Sequence, residues 1–463
     1  MAKKVSQLLT AAIRSVPEER KIRKMIVMKD HDSYLECIQQ LYDQGYKPIK
    51  TIDAAHLLCC HLDAQLLNDS ILQHPAIHHI ETDVRVHVHP IGSKNQRMHQ
   101  VQSSKKKRQQ SIRIPWGIRA IHAPAVWPQT RGAGVKVGFI DTGISPHPDL
   151  WIQGGVNTIA YGESFEDDNG HGTHIAGTVA ALGKQGMLIG VAPDISLYAV
   201  KSLDNQGDGY VSDILDGIEW CIRERMHMIN MSLGLDAPSR SLRNSIRKAQ
   251  QQGIIIVSSA GNSGPNSRII DEPASYPDVI AVAASDQKGR IAPFSSRGRG
   301  ITITAPGVDI LSTSRGGGFG TESGTSMAAP HVTGTIALML SLKPNLSASD
   351  IQQILISSSQ RLKGYRNYSQ GAGLLNTARA IQDMHTGADK KMPSASSKPI
   401  DAFNTPSLAL PLRPFVQASK HRKKRHIPKK NKSSIPLLVE PQVKATQAGN
   451  RKVNSLKKNT KKP

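Results

Sequence analysis

The sequence predicts an α/β protein with a small α+β domain in front of it. Two apolar runs predict the α/β part. Residues 135–140 and 253–259 are almost continuously apolar, the pattern of strands buried on both faces of a parallel sheet. Each run ends in a polar, glycine-containing loop, Asp141-Thr142-Gly143 and Ala260-Gly261-Asn262-Ser263-Gly264. A third observation predicts the small domain. Between residues 24 and 88 the patterns follow the order β-α-β-β-α-β, that of a ferredoxin-like unit.

The elements of that unit follow in turn. Residues 24–29 alternate into a strand, and residues 33–44 carry helical spacing. Residues 49–52 and 56–61 read as strands, 64–73 as a second helix, and 78–88 as the closing strand. In the larger region, residues 173–182 and 327–340 are rich in Ala and other small apolar residues and read as helices. A chain of 463 residues exceeds what one core holds, so more than one region is expected.

The division that results is an N-terminal segment (1–21), the small domain (22–89), a basic linker (90–110), the large domain (111–384) and a basic tail (385–463). The linker lacks periodic apolar residues and contains Lys105-Lys106-Lys107-Arg108. From Thr386 onward there are 19 Lys and Arg against 3 Asp and Glu, most of the chain's formal +23. With few aromatics and no periodicity the tail is expected to be disordered. Its charge suits non-specific, salt-sensitive binding to an anionic polymer or surface, or simply keeps the chain soluble. Nothing in it resembles a module that reads nucleic-acid sequence, and no domain-scale repeat is present.

Three strings carry chemistry: Asp141-Thr142-Gly143, His171-Gly172-Thr173-His174 and Gly324-Thr325-Ser326-Met327-Ala328-Ala329-Pro330. A serine hydroxyl is a weak nucleophile until an imidazole takes its proton, and a carboxylate fixes the tautomer of that imidazole. Asp141 falls at the carboxyl end of a strand, where open α/β sheets bind ligands. Ser326 falls at a helix start, beside unpaired N–H groups. Asn262 offers an amide N–H to a developing oxyanion, with the backbone N–H of Ser326 as a second donor. His171 and His174 also have the spacing of half a metal site, but no third ligand follows at metal spacing.

With these motifs in this order, residues 111–383 resemble the subtilisin family of serine proteases. Gly190-Val191-Ala192-Pro193, Asn230-Met231-Ser232-Leu233-Gly234 and Tyr276-Pro277-Asp278-Val279 extend the likeness. The resemblance implies a doubly wound, mostly parallel sheet with helices on both faces. It implies a serine endopeptidase in which Asp141 orients, His171 acts as general base and then acid, Ser326 attacks and Asn262 stabilises the oxyanion. The small domain is similar to the family's propeptide, an intramolecular inhibitor and folding aid, and its match is best at Asp53-Ala54-Ala55 and at residues 79–83. A self-processing zymogen is therefore expected, cut near His89 or after Arg108. The alternative is a dedicated processing protease held on an anionic polymer by its tail.

The same resemblance places an extended peptide substrate between Gly207-Asp208-Gly209 and Ser232-Leu233-Gly234, as an added strand. Ser232, Leu233, Gly234, Ser259, Ala260 and Gly261 are expected to wall the primary pocket. Those residues are small and neutral, which favours large apolar side chains. Asp271-Glu272, just before Pro273, opens the other possibility: if Asp271 reaches the pocket, Lys or Arg is favoured.

No cofactor is expected for catalysis. The family's usual calcium site needs an Asp, matched by Asp149, and a loop, residues 182–188, in which Lys184 stands where an oxygen ligand is expected. The site is expected to be degraded. Cys37, Cys59 and Cys60 lie in the small domain and Cys221 alone in the large one, so no disulfide is expected in the mature enzyme. Residues 1–14 start basic, but Ser6, Gln7, Thr10 and Arg14 break the run that follows, which makes a poor secretory signal. An intracellular site is favoured, with an extracellular or surface location as the alternative. Half of the 18 histidines precede residue 111, either as surface groups or as a pH-sensitive element of inhibition.

Overall fold

The computed structural model describes residues 5–13, 21–89, 112–184 and 187–386. The basic linker, with the processing position after Arg108, and the basic tail lie outside the described residues, His385 and Thr386 apart; His89 is the last described residue before the linker.

The small domain contains β1 (Lys21–Met28), β2 (Lys50–Ile52), β3 (Leu57–Asp63) and β4 (Ile77–Thr82), with helices α1 (Val5–Ile13), α2 (His31–Asp43) and α3 (Asp69–Leu72). Its sheet runs β2-β3-β1-β4 with every neighbouring pair antiparallel, the strand order of a ferredoxin-like unit. The period of two sorts its side chains. Ile26, Met28, Leu58, Cys60 and Leu62 face α1 and α2, where Leu9, Tyr34 and Leu41 complete one core. Met25, Leu57 and Cys59 face the other way, into a core shared with the large domain.

Three details differ from the sequence-based expectation. Residues 64–73 do not form one helix. They divide into a 3₁₀ turn, Ala64–Leu66, and the four-residue α3, because Asp63 caps Gln65 and Asn68 starts a second helical turn. The N-terminal segment contains a helix, α1, whose Val5, Leu9 and Ala12 are buried against the small domain. The closing strand 78–88 is two strands, β4 and β5 (Arg85–Val88), and β5 belongs to a different sheet.

The large domain continues with α4 (Trp116–Ala120), β6 (Lys136–Asp141), β7 (Ile152–Asn157), α5 (His171–Ala180), β8 (Ser196–Lys201), β9 (Asp208–Tyr210), α6 (Val211–Arg223), β10 (Met228–Met231), β11 (Leu233–Leu235), α7 (Arg240–Gln251) and β12 (Ile255–Ser259). Then follow β13 (Ile280–Ser285), β14 (Ile301–Pro306), β15 (Ile310–Thr313), β16 (Phe319–Glu322), α8 (Thr325–Leu342), α9 (Ala348–Ser358), α10 (Asn367–Gln370) and α11 (Thr377–Thr386). Seven strands form one sheet, β14-β13-β12-β10-β6-β8-β7, and every pair in it is parallel. Val137 and Phe139 enter the core that holds α5 and α8, while Ile140 enters the core that holds α6 and α7. The sheet thus has helices on both faces, the doubly wound arrangement. Helix α8 is apolar all round and buried from Thr325 to Leu340, as a helix through the middle of a core must be.

Strand register sets the site. Ile140, Met231 and Ser258 stand level across β6, β10 and β12. One residue further, Asp141, Ser232 and Ser259 stand at the sheet's carboxyl edge, Asp141 and Ser259 as the last residues of their strands.

Candidate active site

Asp141, the last residue of β6, is fully buried. Its Oδ1 lies 2.7 Å from Nδ1 of His171, the first residue of α5. Oδ1 also accepts the backbone N–H of Thr142 at 2.8 Å. The close packing here requires glycine: a Cβ on Gly172 would stand 2.1 Å from the Gly143 carbonyl oxygen. Burial, the largest influence on His171, would lower its pKa. The charge and hydrogen bond of Asp141 outweigh it, so the imidazole is held above its usual range.

Ser326 is the second residue of α8 and almost wholly buried. Its hydroxyl donates to the Ser232 carbonyl at 3.3 Å, while Nε2 of His171 has no hydrogen-bond partner. The serine hydroxyl is thus engaged at the sheet edge and not by the imidazole. Pro330 explains a second contact. It has no N–H to give the carbonyl four residues earlier, which is that of Ser326. The Ser232 hydroxyl takes that place, donating to the Ser326 carbonyl at 3.1 Å.

Asn262 follows β12. Its Oδ1 accepts the backbone N–H of Thr325 at 3.0 Å and the Thr325 hydroxyl at 2.9 Å. Fixing the oxygen in this way turns Nδ2 toward Gly324, where an added Cβ would sit 3.2 Å from it. The head of α8 and the Asn262 amide thus share one corner.

Sequence reasoning missed Asp167 and Thr325. Oδ1 of Asp167 accepts from the Thr142 hydroxyl and the backbone of Asn169 and Gly170, and Oδ2 accepts from the backbone and hydroxyl of Thr173. It ties the loop after β6 to the start of α5. An Asp four residues before the histidine, followed by Asn and Gly, is a turn signal that could have found it.

The cleft is filled by the chain itself. β5 lies between β9 and β11 in an antiparallel three-stranded sheet. Val88 stands opposite Leu233, His87 opposite Gly234, and Val86 opposite Gly209, while the Gly207 carbonyl accepts the Val88 N–H at 2.9 Å. Beyond β5, His89 is buried, with Nδ1 2.9 Å from the Ser259 hydroxyl and Nε2 2.9 Å from Oδ2 of Asp271. The second is a close approach without hydrogen-bond alignment. The structure therefore brings Gly207, Gly209, Leu233, Gly234 and Ser259 around one strand and its last side chain, while Ala260 and Gly261 lie against Asp271 and Ser232 against Ser326.

Two acids of the small domain close the arrangement from outside. Asp83 accepts the backbone N–H and the hydroxyl of Ser212 in the first turn of α6, at 2.9 and 2.7 Å, and the guanidinium of Arg23 at 2.6 Å. Glu81 accepts the backbone N–H groups of Arg240 and Ser241 at the start of α7. Both satisfy the orphan donors of helix N-termini. Lys50, also buried, reaches Asp213 at 2.5 Å and Asp216 at 3.4 Å.

Asp149 stands apart from these residues. One carboxylate oxygen accepts the Lys184 N–H at 2.8 Å, the other is buried without a partner, and burial raises the group to about 6. The described part of this loop brings an ammonium-bearing residue and amide donors, which do not fit a cation that takes six to eight oxygens. His174 is bound to the Ile310 carbonyl at 2.9 Å, and no group of three metal-ligating side chains occurs among the described residues. All four cysteines are buried free thiols, and no described helix is long and apolar enough to cross a membrane.

A parallel sheet with an Asp–His pair, a helix-borne serine and a strand-binding cleft at its carboxyl edge is the architecture of a subtilisin-type protease. The chain belongs to the subtilase family, whose model matches residues 132–373. It is 36% identical over 391 residues to an alkaline protease of Alkalihalobacillus alcalophilus, an alignment covering 82% of this chain and 96% of that protein. It is 44% identical to Subtilisin Savinase of Lederbergia lenta over 58% of this chain and 99% of that one. Subtilisin DY of Bacillus licheniformis is 45% identical over the same shares. The protein is a subtilisin-like serine endopeptidase.

Proposed function

We propose that the protein is made as a self-processing zymogen in which residues 22–89 hold the cleft shut, and that Asp141, His171, Ser326 and Asn262 carry catalysis. The observation that carries this reading is the strand β5, seated between β9 and β11 with His89 in the pocket beyond it. A substrate peptide would take the same place, adding main-chain hydrogen bonds that tolerate most sequences.

Once the cleft is vacated, the Ser326 hydroxyl turns from the Ser232 carbonyl and attacks the scissile carbon. Nε2 of His171 takes its proton, and Asp141 holds the tautomer and stabilises the imidazolium. Negative charge on the former carbonyl oxygen falls between the Asn262 amide and the Ser326 backbone N–H, which is unpaired at the head of α8. His171 then protonates the leaving amine, and a water repeats the sequence on the acyl-enzyme. These four residues supply every proton transfer and oxyanion contact of the reaction, so no step draws on a cofactor. The alternative of a dedicated processing enzyme held by its tail gains no support from the comparisons.

Full-length wild type and Ser326→Ala, expressed side by side, test the reading. Wild type is expected to hydrolyse casein and to show a new N-terminus within residues 89–110. The mutant is expected to stay full length and inactive. A mutant that matures and hydrolyses casein like wild type would refute both parts.

A further inference from the structure

Every second residue of β5 and its extension is basic, and each faces an acid of the large domain. Arg85 is 3.2 Å from Asp208, His87 is 3.4 Å from Asp236, and His89 is 2.9 Å from Asp271. The first two pairs are solvated, and such pairs contribute little. The third differs. The His89 side chain is 1% exposed and the Asp271 side chain 25%. The pocket around them is shaped by absent side chains: a Cβ on Gly261 would meet Oδ2 of Asp271 at 2.3 Å, and one on Gly234 would meet Nε2 of His89 at 2.7 Å. The Asp271 backbone is fixed by its N–H to the Ala260 carbonyl, at 3.1 Å, so the carboxylate is held at the pocket floor.

We propose that Asp271 is the specificity-determining residue of the primary pocket and that the protease cuts after cationic side chains rather than large apolar ones. The proposal rests on the reading of the cleft given above. An aromatic side chain in this pocket would strip water from the carboxylate and return nothing, which is costly for a charge. A guanidinium or ammonium would meet it with charge-assisted hydrogen bonds. The small neutral walls, which by themselves favour apolar side chains, thus set the width of the pocket and not its preference.

The sequence adds a consequence. The bond that follows His89 leads to Pro90, a tertiary amide whose nitrogen is locked in a ring. It is a poor leaving group geometry for a triad, which suits a strand that inhibits. The run Lys105-Lys106-Lys107-Arg108 offers the pocket a cationic side chain followed by Gln109. Processing is therefore assigned to the bond after Arg108.

The test uses wild type, Asp271→Asn, Asp271→Glu and, as the inactive control, Ser326→Ala, each expressed as the full chain and each matured in trans with the same trace of wild-type enzyme. Two quenched peptides share the sequence Val-His-Val-X and differ only in X, Arg or Phe. Wild type is expected to favour Arg by about tenfold or more in kcat/KM, and Asp271→Asn to lower the Arg-to-Phe ratio by about 10–100-fold, the worth of a charged hydrogen bond. Asp271→Glu is expected to keep Arg ahead, and terminal sequencing of wild type to give Gln109. If wild type prefers Phe, or if Asp271→Asn melts like wild type with its ratio unmoved, the pocket assignment is overturned while the protease reading stands. If wild type cuts neither peptide and no casein, both fall. If Asp271→Asn does not fold, the wild-type ratio and Asp271→Glu decide.

Discussion

The two main sheets solve the problem of burial in opposite ways. The seven-stranded parallel sheet has helices of its own domain on both faces, and its strands are apolar on both sides. The four-stranded antiparallel sheet owns one core only. Its second face, with Met25, Leu57 and Cys59, is covered by the large domain's α6 and α7. The first sheet can hold a site in place whatever happens to the second. The second is completed by the enzyme it covers, and is anchored by a few charged contacts at helix ends. That asymmetry is what the inhibitor role proposed for the small domain requires: a rigid half that does chemistry and a half whose docking can be undone.

The largest effect expected on the rigid half comes from Asp141→Asn. The amide no longer enforces the imidazole tautomer, and a loss of about 10⁴-fold in kcat is expected by analogy with other triads. The pH profile sharpens the test. In wild type the neutral imidazole is the active form, so kcat/KM falls as pH drops through the His171 pKa. Asp141 holds that pKa above the ordinary 6.5, so the acidic limb of wild type should have its midpoint above that value. In Asp141→Asn only burial remains as the main influence, and the limb should move to lower pH. A limb that stays in place would remove the assignment of the Asp141 charge as its cause.

The removable half responds to Asp83→Ala. This change removes the carboxylate from Arg23, which keeps its contact with the Ser212 hydroxyl, and takes the acceptor from the Ser212 backbone N–H in the first turn of α6. Breaking a buried charged contact from one side costs about 3–5 kcal/mol. In the Ser326→Ala chain, where cleavage does not intervene, amide hydrogen exchange should speed up in β1, β3 and β4 and stay unchanged in β6, β10 and β12. Equal acceleration in both sheets would erase the contrast drawn between them.

How much of this was legible in the sequence follows the same division. β6 and β12 announce themselves as apolar runs ending in polar loops, because strands buried on both faces carry their signal locally. The strings that carry Asp141, His171 and Ser326 were legible as short motifs with glycine beside each, and the structure brings Asp141 to His171 at 2.7 Å. The break between β4 and β5 was not, since its cause is Asp83 reaching Ser212, 129 residues further on. Helix α1 is short, and its three buried residues, Val5, Leu9 and Ala12, gain their meaning only from the small-domain core they pack against, which a local run of nine residues does not announce. Asp271 was visible only as an alternative. Two adjacent acids before a proline do not say which one turns inward, and that is settled by the Ala260 carbonyl and by the His89 ring.

The smallest expected effect joins the sheet edge to the nucleophile. Ser232→Ala removes the hydroxyl that satisfies the Ser326 carbonyl, leaving a buried acceptor unpaired at a cost of about 1–3 kcal/mol. The vacancy exists only because Pro330 cannot donate. Replacing Pro330 by Ala restores an N–H at the right turn of α8, so the double mutant should recover part of the stability lost by Ser232→Ala alone. Denaturant unfolding of the four proteins in the Ser326→Ala background gives the coupling between the two positions, expected at about 0.5–3 kcal/mol. Strict additivity would mean that the Ser232 hydroxyl matters for some reason other than the missing helical bond.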